Sequence, residues 1–299
     1  YELIQWAKSH GYDLYEDGLK IYTTIDSRMQ AKAEDAVKLH MADLQAVFDD
    51  HWDGANPWRD EKGREIANFL ENRFKRTEHY RKLVKKYGKE NDSIQIVMNT
   101  PKPIDSLKYY KNFLHAGMIS MDPHTGHIKT WVGGIDHKYF KYDHVQQGTR
   151  QPGSTFKPFV YGTAIENGFP PCFEAVDAAV TFEVPGDPPT WSPTNADGKQ
   201  GNGEKMTIRQ VLARSVNTIT AFMMREVGIQ NVVNFANRVG ITSPLDPVPA
   251  LCLGTSDVSL FELVGAYGTF ANQGIHTTPY YIARIEDKNG NVVENFVPK

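Results

Sequence analysis

Two short stretches of the chain carry residues suited to nucleophilic chemistry. In Arg150-Gln151-Pro152-Gly153-Ser154-Thr155-Phe156-Lys157-Pro158-Phe159 a hydroxyl and an amine stand three residues apart. Pro152-Gly153 breaks the chain before a helix, so Ser154 falls at or near a helix start, facing unsatisfied backbone N–H groups and the positive end of the dipole. Lys157 lies one turn on, on the same face. A serine is a poor nucleophile unless a base takes its proton. Lysine can be that base only if burial lowers its pKa and frees the lone pair. Pro158 has no N–H, which a helix tolerates in its first turn, so the helix must begin near Ser154. The spacing alone decides little. The chain has 11 Ser and 21 Lys, from which about 0.8 Ser-x-x-Lys matches arise by chance, and the same four residues fit a helix cap followed by a solvated lysine.

The second stretch is Ser215-Val216-Asn217, within Leu212-Ala213-Arg214-Ser215-Val216-Asn217-Thr218. A hydroxyl and a carboxamide two residues apart face one cleft if a turn or helix end lies there. The hydroxyl can pass a proton to a leaving group. The amide can both donate and accept, which suits holding a peptide bond. Alone, the triplet is better read as two polar residues in a helix–helix connection.

The elements that must position these residues follow from periodicity. Residues 19–25 alternate and are β-branched, which predicts a strand. Asp26 or Ser27 then caps a helix whose apolar stripe is Met29, Ala33, Val37, Met41, Leu44 and Phe48, ending near Trp52-Asp53-Gly54. Residues 57–90 read as polar, charged and helical, and Thr100-Pro101-Lys102-Pro103 as a loop or boundary. A hairpin is expected from 116–121 and 127–132, turning at Asp122-Pro123-His124-Thr125-Gly126. Helices are expected over 154–167, 207–226, 229–239 and 257–272, with an irregular Pro- and Gly-rich stretch at 170–203 and a closing strand over 280–286. The fold class is therefore α/β (α+β), an antiparallel sheet flanked by helices.

Composition bounds the function classes. The 299 residues are 40% apolar and 23% charged, with a net charge of −3. That is ordinary globular composition, and the acidic balance gives no support for nucleic-acid binding. The positive run Arg73, Lys75, Arg76, Arg81, Lys82, Lys85, Lys86 and Lys89 reads as a solvated helical face. No apolar stretch approaches the length that spans a bilayer, and no signal peptide opens the chain. Tyr1 is not an initiator Met, so the chain reads as excised, and the lack of an anchor says nothing of its parent. Cys172 and Cys252 are too few for a disulfide framework and read as two buried thiols. No metal or other cofactor is expected, since the turn histidines His124 and His127 are poor evidence for a metal site.

Taken together, Ser154-x-x-Lys157 followed by Ser215-x-Asn217 resembles the penicillin-interacting serine enzymes. The flanks narrow the resemblance to class A (bifunctional) penicillin-binding proteins. Arg150 to Phe159 is similar to their nucleophile segment. So are Trp191-Ser192-Pro193-Thr194-Asn195 and Leu253-Gly254-Thr255-Ser256 continuing to Ala266-Tyr267-Gly268-Thr269-Phe270-Ala271-Asn272-Gln273-Gly274. Thr23-Thr24-Ile25-Asp26, leading to Met29-Gln30 and Ala33-Glu34, resembles the segment that joins their glycosyltransferase domain to the transpeptidase.

The resemblance implies a β-lactamase/transpeptidase-like fold, with residues 1–112 a linker and N-terminal helical region and 113–299 the transpeptidase domain. It implies that Ser154 attacks a D-Ala-D-Ala stem peptide of peptidoglycan to form an acyl-enzyme. Lys157 would be the base, Ser215 the proton relay and Asn217 the substrate-binding residue. The Ser154 N–H would supply one oxyanion donor. β-Lactams would trap the acyl-enzyme, and the protein would work in the bacterial cell envelope, on the outer (periplasmic) face of the cytoplasmic membrane, held there by an N-terminal anchor. The family's third motif, Lys-Thr-Gly or a close variant, does not follow Asn217. His124-Thr125-Gly126 precedes Ser154 and sits in the hairpin turn, so it is rejected as that motif. The chain is therefore expected to be C-terminally incomplete, which puts its own activity in question and leaves sheet edges open. The alternatives are a D,D-carboxypeptidase or β-lactamase, and a non-catalytic scaffold that binds the cell wall.

Overall fold

The computed structural model describes residues 2–52, 58–60, 62–64, 66–88 and 108–296. The predicted boundary at Thr100–Pro103 and Lys89 of the basic run lie outside these residues. The chain forms two compact units, residues 1–34 with 117–299, and residues 35–116. The first unit thus takes in the N-terminal strand, which the sequence reading groups with residues 1–112.

In that unit the strand Lys20–Thr23 pairs antiparallel with Ile282–Glu286, which pairs on its other edge with Val292–Asn295. The turn between the last two strands is held by Asp287, whose carboxylate accepts the N–H groups of Asn289 and Asn291 at 2.8 and 2.9 Å. A separate hairpin joins Met118–Met121 to Ile128–Val132. Its second strand alternates, with Ile128, Thr130 and Val132 buried. Asp122 closes the turn by accepting the N–H of His124 at 2.9 Å, an Asx turn of the kind Asp-Pro-x-x-Gly encodes.

Five helices of this unit surround one apolar core: Lys157–Glu166, Ile208–Arg214, Asn217–Val227, Ile229–Arg238 and Leu260–Ala271. Lys157–Glu166 lies at its centre, with Phe159, Val160, Tyr161, Thr163 and Ala164 all buried. Gly162 lets this helix come close to its neighbour, since a Cβ there would lie 2.4 Å from the Phe235 ring. The core continues through Ile219, Met223, Met224, Val232, Ala236, Leu251 and Ala266.

The helix Ser27–His51 starts as expected, with the Asp26 carboxylate accepting the N–H groups of Arg28 and Met29 at 2.9 and 3.2 Å. Its stripe differs from the reading. Met29 and Leu44 are exposed, at 46% and 41%, and Gln30 and Gln45 turn inward instead. The Gln30 amide receives the Trp131 N–H at 2.7 Å and donates to the Trp131 carbonyl at 2.9 Å. It thereby pairs with the strand edge as a neighbouring strand would. Gln45 does the same for Asn112 O and Leu114 N, at 2.8 Å each.

In the second unit the short helices Phe69–Phe74 and Glu78–Tyr87 meet through buried Phe74, which packs on Tyr80, Leu83 and Val84. The Thr77 hydroxyl caps the second helix by accepting the Tyr80 N–H at 3.2 Å. Arg73, Lys75, Arg76, Arg81, Lys82, Lys85 and Lys86 are exposed. Among the described residues no helix is long and apolar enough to cross a membrane.

Candidate active site

The strand pair Thr149–Arg150 with Val258–Ser259 delivers the chain to Pro152. Gly153 has φ +59°, a conformation that glycine takes without strain. Gly153–Phe156 forms a single 3₁₀ turn, and the α-helix begins at Lys157 with Pro158 in its first turn. Ser154 therefore sits in the lead-in turn rather than in the α-helix itself. It is exposed, and among the described residues its Oγ has no hydrogen-bond partner. Lys157, one turn on, is wholly buried.

The Lys157 Nζ donates to the Ser215 carbonyl at 2.6 Å, to Ser215 Oγ at 3.0 Å and to Asn217 Oδ1 at 2.7 Å. Three N–H donors thus meet three neutral acceptors. Burial lowers the lysine pKa from 10.5 to about 8, with the nearby Cys252 acting in the opposite sense. Burial also pushes the Cys252 thiol up to about 12, so it is neutral at pH 7.

Periodicity predicts one helix over 207–226, and the structure corrects this. The helix Ile208–Arg214, opened by a Thr207/Gln210 capping box, stops at Ser215, and a new helix starts at Asn217. Ser215 adopts φ +56°, ψ +40°, a left-handed conformation that costs a non-glycine residue about 1 kcal/mol. The break turns the Ser215 carbonyl and hydroxyl and the Asn217 amide together onto Lys157. Asn217 Nδ2 donates to the Thr194 carbonyl at 2.8 Å, which leaves one amide N–H for a ligand.

A second layer fixes this turn. Asn195 Oδ1 accepts the N–H groups of Asn217 and Thr218 at 2.9 and 3.2 Å. Its Nδ2 donates to the two oxygens of Asp177 at 3.1 and 3.2 Å. Asp177 is buried and also accepts from the Thr218 hydroxyl and from the Asn202 N–H. Sequence reasoning brought Asn195 forward only through the resemblance and missed Asp177. The one signal for Asp177 is a carboxylate in an otherwise apolar run, Ala175-Val176-Asp177-Ala178-Ala179-Val180.

His124-Thr125-Gly126 forms the hairpin turn, and His124 Nδ1 bonds Asn272 Oδ1 at 2.8 Å. Cys172 is exposed rather than buried, Cys252 is buried, and the two are not bridged. Among the described residues no three His, Cys, Asp or Glu gather as metal ligands would.

The penicillin-binding protein transpeptidase domain matches residues 116–298, and the penicillin-binding protein middle domain matches 53–104. The chain belongs to the transpeptidase-domain family of penicillin-binding proteins. The class A resemblance read from the sequence is borne out by its relatives. It is 29% identical to penicillin-binding protein 1A of Aquifex aeolicus, over 97% of this chain and 42% of that protein. It is 35% identical to penicillin-binding protein 2D of Bacillus subtilis, over 60% of this chain and 26% of that protein. The chain thus spans less than half the length of these curated relatives. Its fold is similar to that of penicillin-binding protein 1A from Haemophilus influenzae, with a TM-score of 0.70, 21% identity and coverage of 100% of this chain and 49% of that one. It is also similar to PonA1 from Mycobacterium tuberculosis, solved in complex with penicillin V, with a TM-score of 0.63, 23% identity and coverage of 98% and 62%.

Proposed function

We propose that this chain carries the acyl-transfer machinery of a D,D-transpeptidase, which cross-links peptidoglycan stem peptides through an acyl-serine and is blocked by β-lactams. The observation that carries the reading is the buried Lys157 amine. It is held by Ser215 and Asn217, shifted toward neutrality, and set one turn from a Ser154 hydroxyl that is exposed and without a hydrogen-bond partner among the described residues.

Each residue then has one task. Ser154 Oγ attacks the carbonyl carbon of the penultimate D-Ala, and its proton passes to the neutral Lys157 Nζ. The Ser154 N–H, which makes no backbone bond among the described residues, stabilises the oxyanion. The C–N bond breaks, and a proton reaches the departing D-Ala amine through Ser215 Oγ, the hydroxyl 3.0 Å from Lys157. The spare N–H of Asn217 holds the substrate peptide. An amine of a second stem peptide attacks the ester, loses its proton by the reverse route and frees Ser154. A β-lactam enters the same first step, but its leaving nitrogen stays tethered.

In this reading residues 113–299 carry the chemistry and 1–112 lead into them, on the outer (periplasmic) face of the cytoplasmic membrane. The 299 residues hold no Lys-Thr-Gly after Asn217. The test is intact mass after benzylpenicillin, on the chain and on the full-length protein, each with and without Ser154→Ala. One penicilloyl adduct on the full-length protein, absent from a folded Ser154→Ala variant, is expected. No adduct on folded full-length protein would favour a wall-binding scaffold, and rapid release with penicillin turnover a β-lactamase.

A further inference from the structure

The nucleophile is not held by its own side chain, and its two neighbours in the chain are each tied to a distant element. On one side, the Gly153 N–H donates to the Gly254 carbonyl at 3.2 Å. Gly254 has φ +74°, and a Cβ there would lie 2.2 Å from the Gly153 oxygen and 2.6 Å from its nitrogen. The two backbones are therefore in direct contact, and only glycine permits it. On the other side, the Tyr267 hydroxyl donates to the Thr155 carbonyl at 2.7 Å. Tyr267 projects from the helix Leu260–Ala271, and its ring packs edge-on against Phe159 and Phe270. Burial holds its phenol above the ordinary value, so at neutral pH it remains a donor. No other hydrogen bond of that hydroxyl exists among the described residues, and the turn's own bonds, Thr155 N–H and Oγ1 to Pro152 O, are local.

We infer that Tyr267 is a positioning residue for the acyl-transfer step: with Gly254 it clamps the turn on both sides of Ser154 and so aims the Ser154 Oγ and N–H at the substrate carbonyl. This rests on the reading of Ser154 as the nucleophile. The clamp's hydrogen bonds end on Gly153 and Thr155 and none goes to the Lys157 amine or to the Ser215–Asn217 turn, so it acts on the geometry of attack and not on the supply of the base. Its loss must therefore lower the rate constant for acylation while leaving the pH midpoint and the non-covalent affinity for penicillin where they are. A residue that only filled space would behave otherwise. Its ring would matter and its hydroxyl would not.

The experiment measures acylation of the full-length protein by a fluorescent penicillin in stopped flow, resolving the acylation rate constant from the preceding dissociation constant. Tyr267→Phe keeps the ring and removes the tie. The expected result is a fall of about fivefold or more in the rate constant, the size of one lost hydrogen bond, with dissociation constant and pH midpoint unchanged and the protein folded. Gly254→Ala, which must push the turn away, is expected to lower the rate further. Wild-type rates for Tyr267→Phe, with a loss only in Tyr267→Leu, would overturn the proposal and leave a packing role. A shifted pH midpoint in Tyr267→Phe would overturn it too, because the hydroxyl would then act through Lys157. Failure of the wild-type protein to acylate at all would instead count against the function proposed above.

Discussion

Raising the pH from 7 to 9 tests the state of Lys157 directly. With its pKa at about 8, about 10% of the amine is neutral at pH 7 and about 90% at pH 9. If the neutral amine takes the Ser154 proton, the acylation rate constant rises about tenfold over that interval and bends to a plateau. A lysine at its ordinary value of 10.5 would give about a hundredfold rise with no bend below pH 10. The same shift has a stability consequence. The folded pKa lies below the unfolded one, so between pH 8 and 10.5 the unfolded chain keeps a proton that the folded chain has lost. The contribution of Lys157 to stability therefore increases with pH across that window, and below it the buried charge costs roughly 3 kcal/mol. The assay is stopped-flow acylation of the full-length protein by a fluorescent penicillin from pH 6.5 to 9.5, with Lys157→Ala as reference. That variant should fold and acylate about a hundredfold or more slowly, without the bend. A wild-type profile that is flat, or one that climbs tenfold per pH unit past pH 9, refutes the assignment of Lys157 as a tuned base.

Two further outcomes follow from the layer behind the lysine. Asp177→Ala strips the acceptor from the Thr218 hydroxyl, the Asn195 amide and the Asn202 N–H, so it should cost about 2–4 kcal/mol in denaturant unfolding; a change below about 0.5 kcal/mol would mean that the network is dispensable. Asn217→Asp puts a carboxylate where Lys157 now meets a neutral oxygen, so the acylation midpoint should move above about pH 9 and the rate at pH 7 fall at least about tenfold. An unmoved midpoint would show that Asn217 does not set the charge of the amine.

What the sequence made legible is what is local in it. Ser154 and Lys157 are one turn apart, and Pro152-Gly153 before them and Pro158 after them leave one place for a helix to start, so their mutual placement follows from four letters and two breakers. Ser215 and Asn217 were legible as groups but not as geometry. Ile208, Val211, Leu212, Ile219 and Met223 keep helical spacing straight through the break, and no glycine or proline marks it, because a serine takes the left-handed conformation itself. Asp177 and Asn195 stayed dark for a different reason. They come from the irregular stretch between the two motifs and act by hydrogen bonds across 18 to 41 positions, a distance at which periodicity carries no information. Met29 and Leu44 misled because apolar residues at helical spacing need not all face inward, while Gln30 and Gln45, polar and therefore passed over, supply the hydrogen bonds that strand and loop edges require.

The surroundings of Lys157 explain why the break at Ser215 is worth its strain. A buried ammonium needs acceptors, and the commonest answer is a carboxylate, which would hold the proton and disable the base. Here all three acceptors are neutral: a carbonyl, a hydroxyl and an amide oxygen. A carbonyl inside a continuous helix would already be taken by an N–H four residues on. Ending one helix at Ser215 and starting the next at Asn217 frees that carbonyl and points it at the amine. The nearest carboxylate in the network, Asp177, is kept one step back, where Asn195 and Thr218 stand between it and the turn. The carboxylate therefore organises the backbone that presents Asn217 through Asn195 and Thr218, without bonding to Lys157. Support and reactivity are separated by one layer of neutral side chains, and that separation allows the lysine to be fully hydrogen-bonded and still able to lose its proton near pH 8.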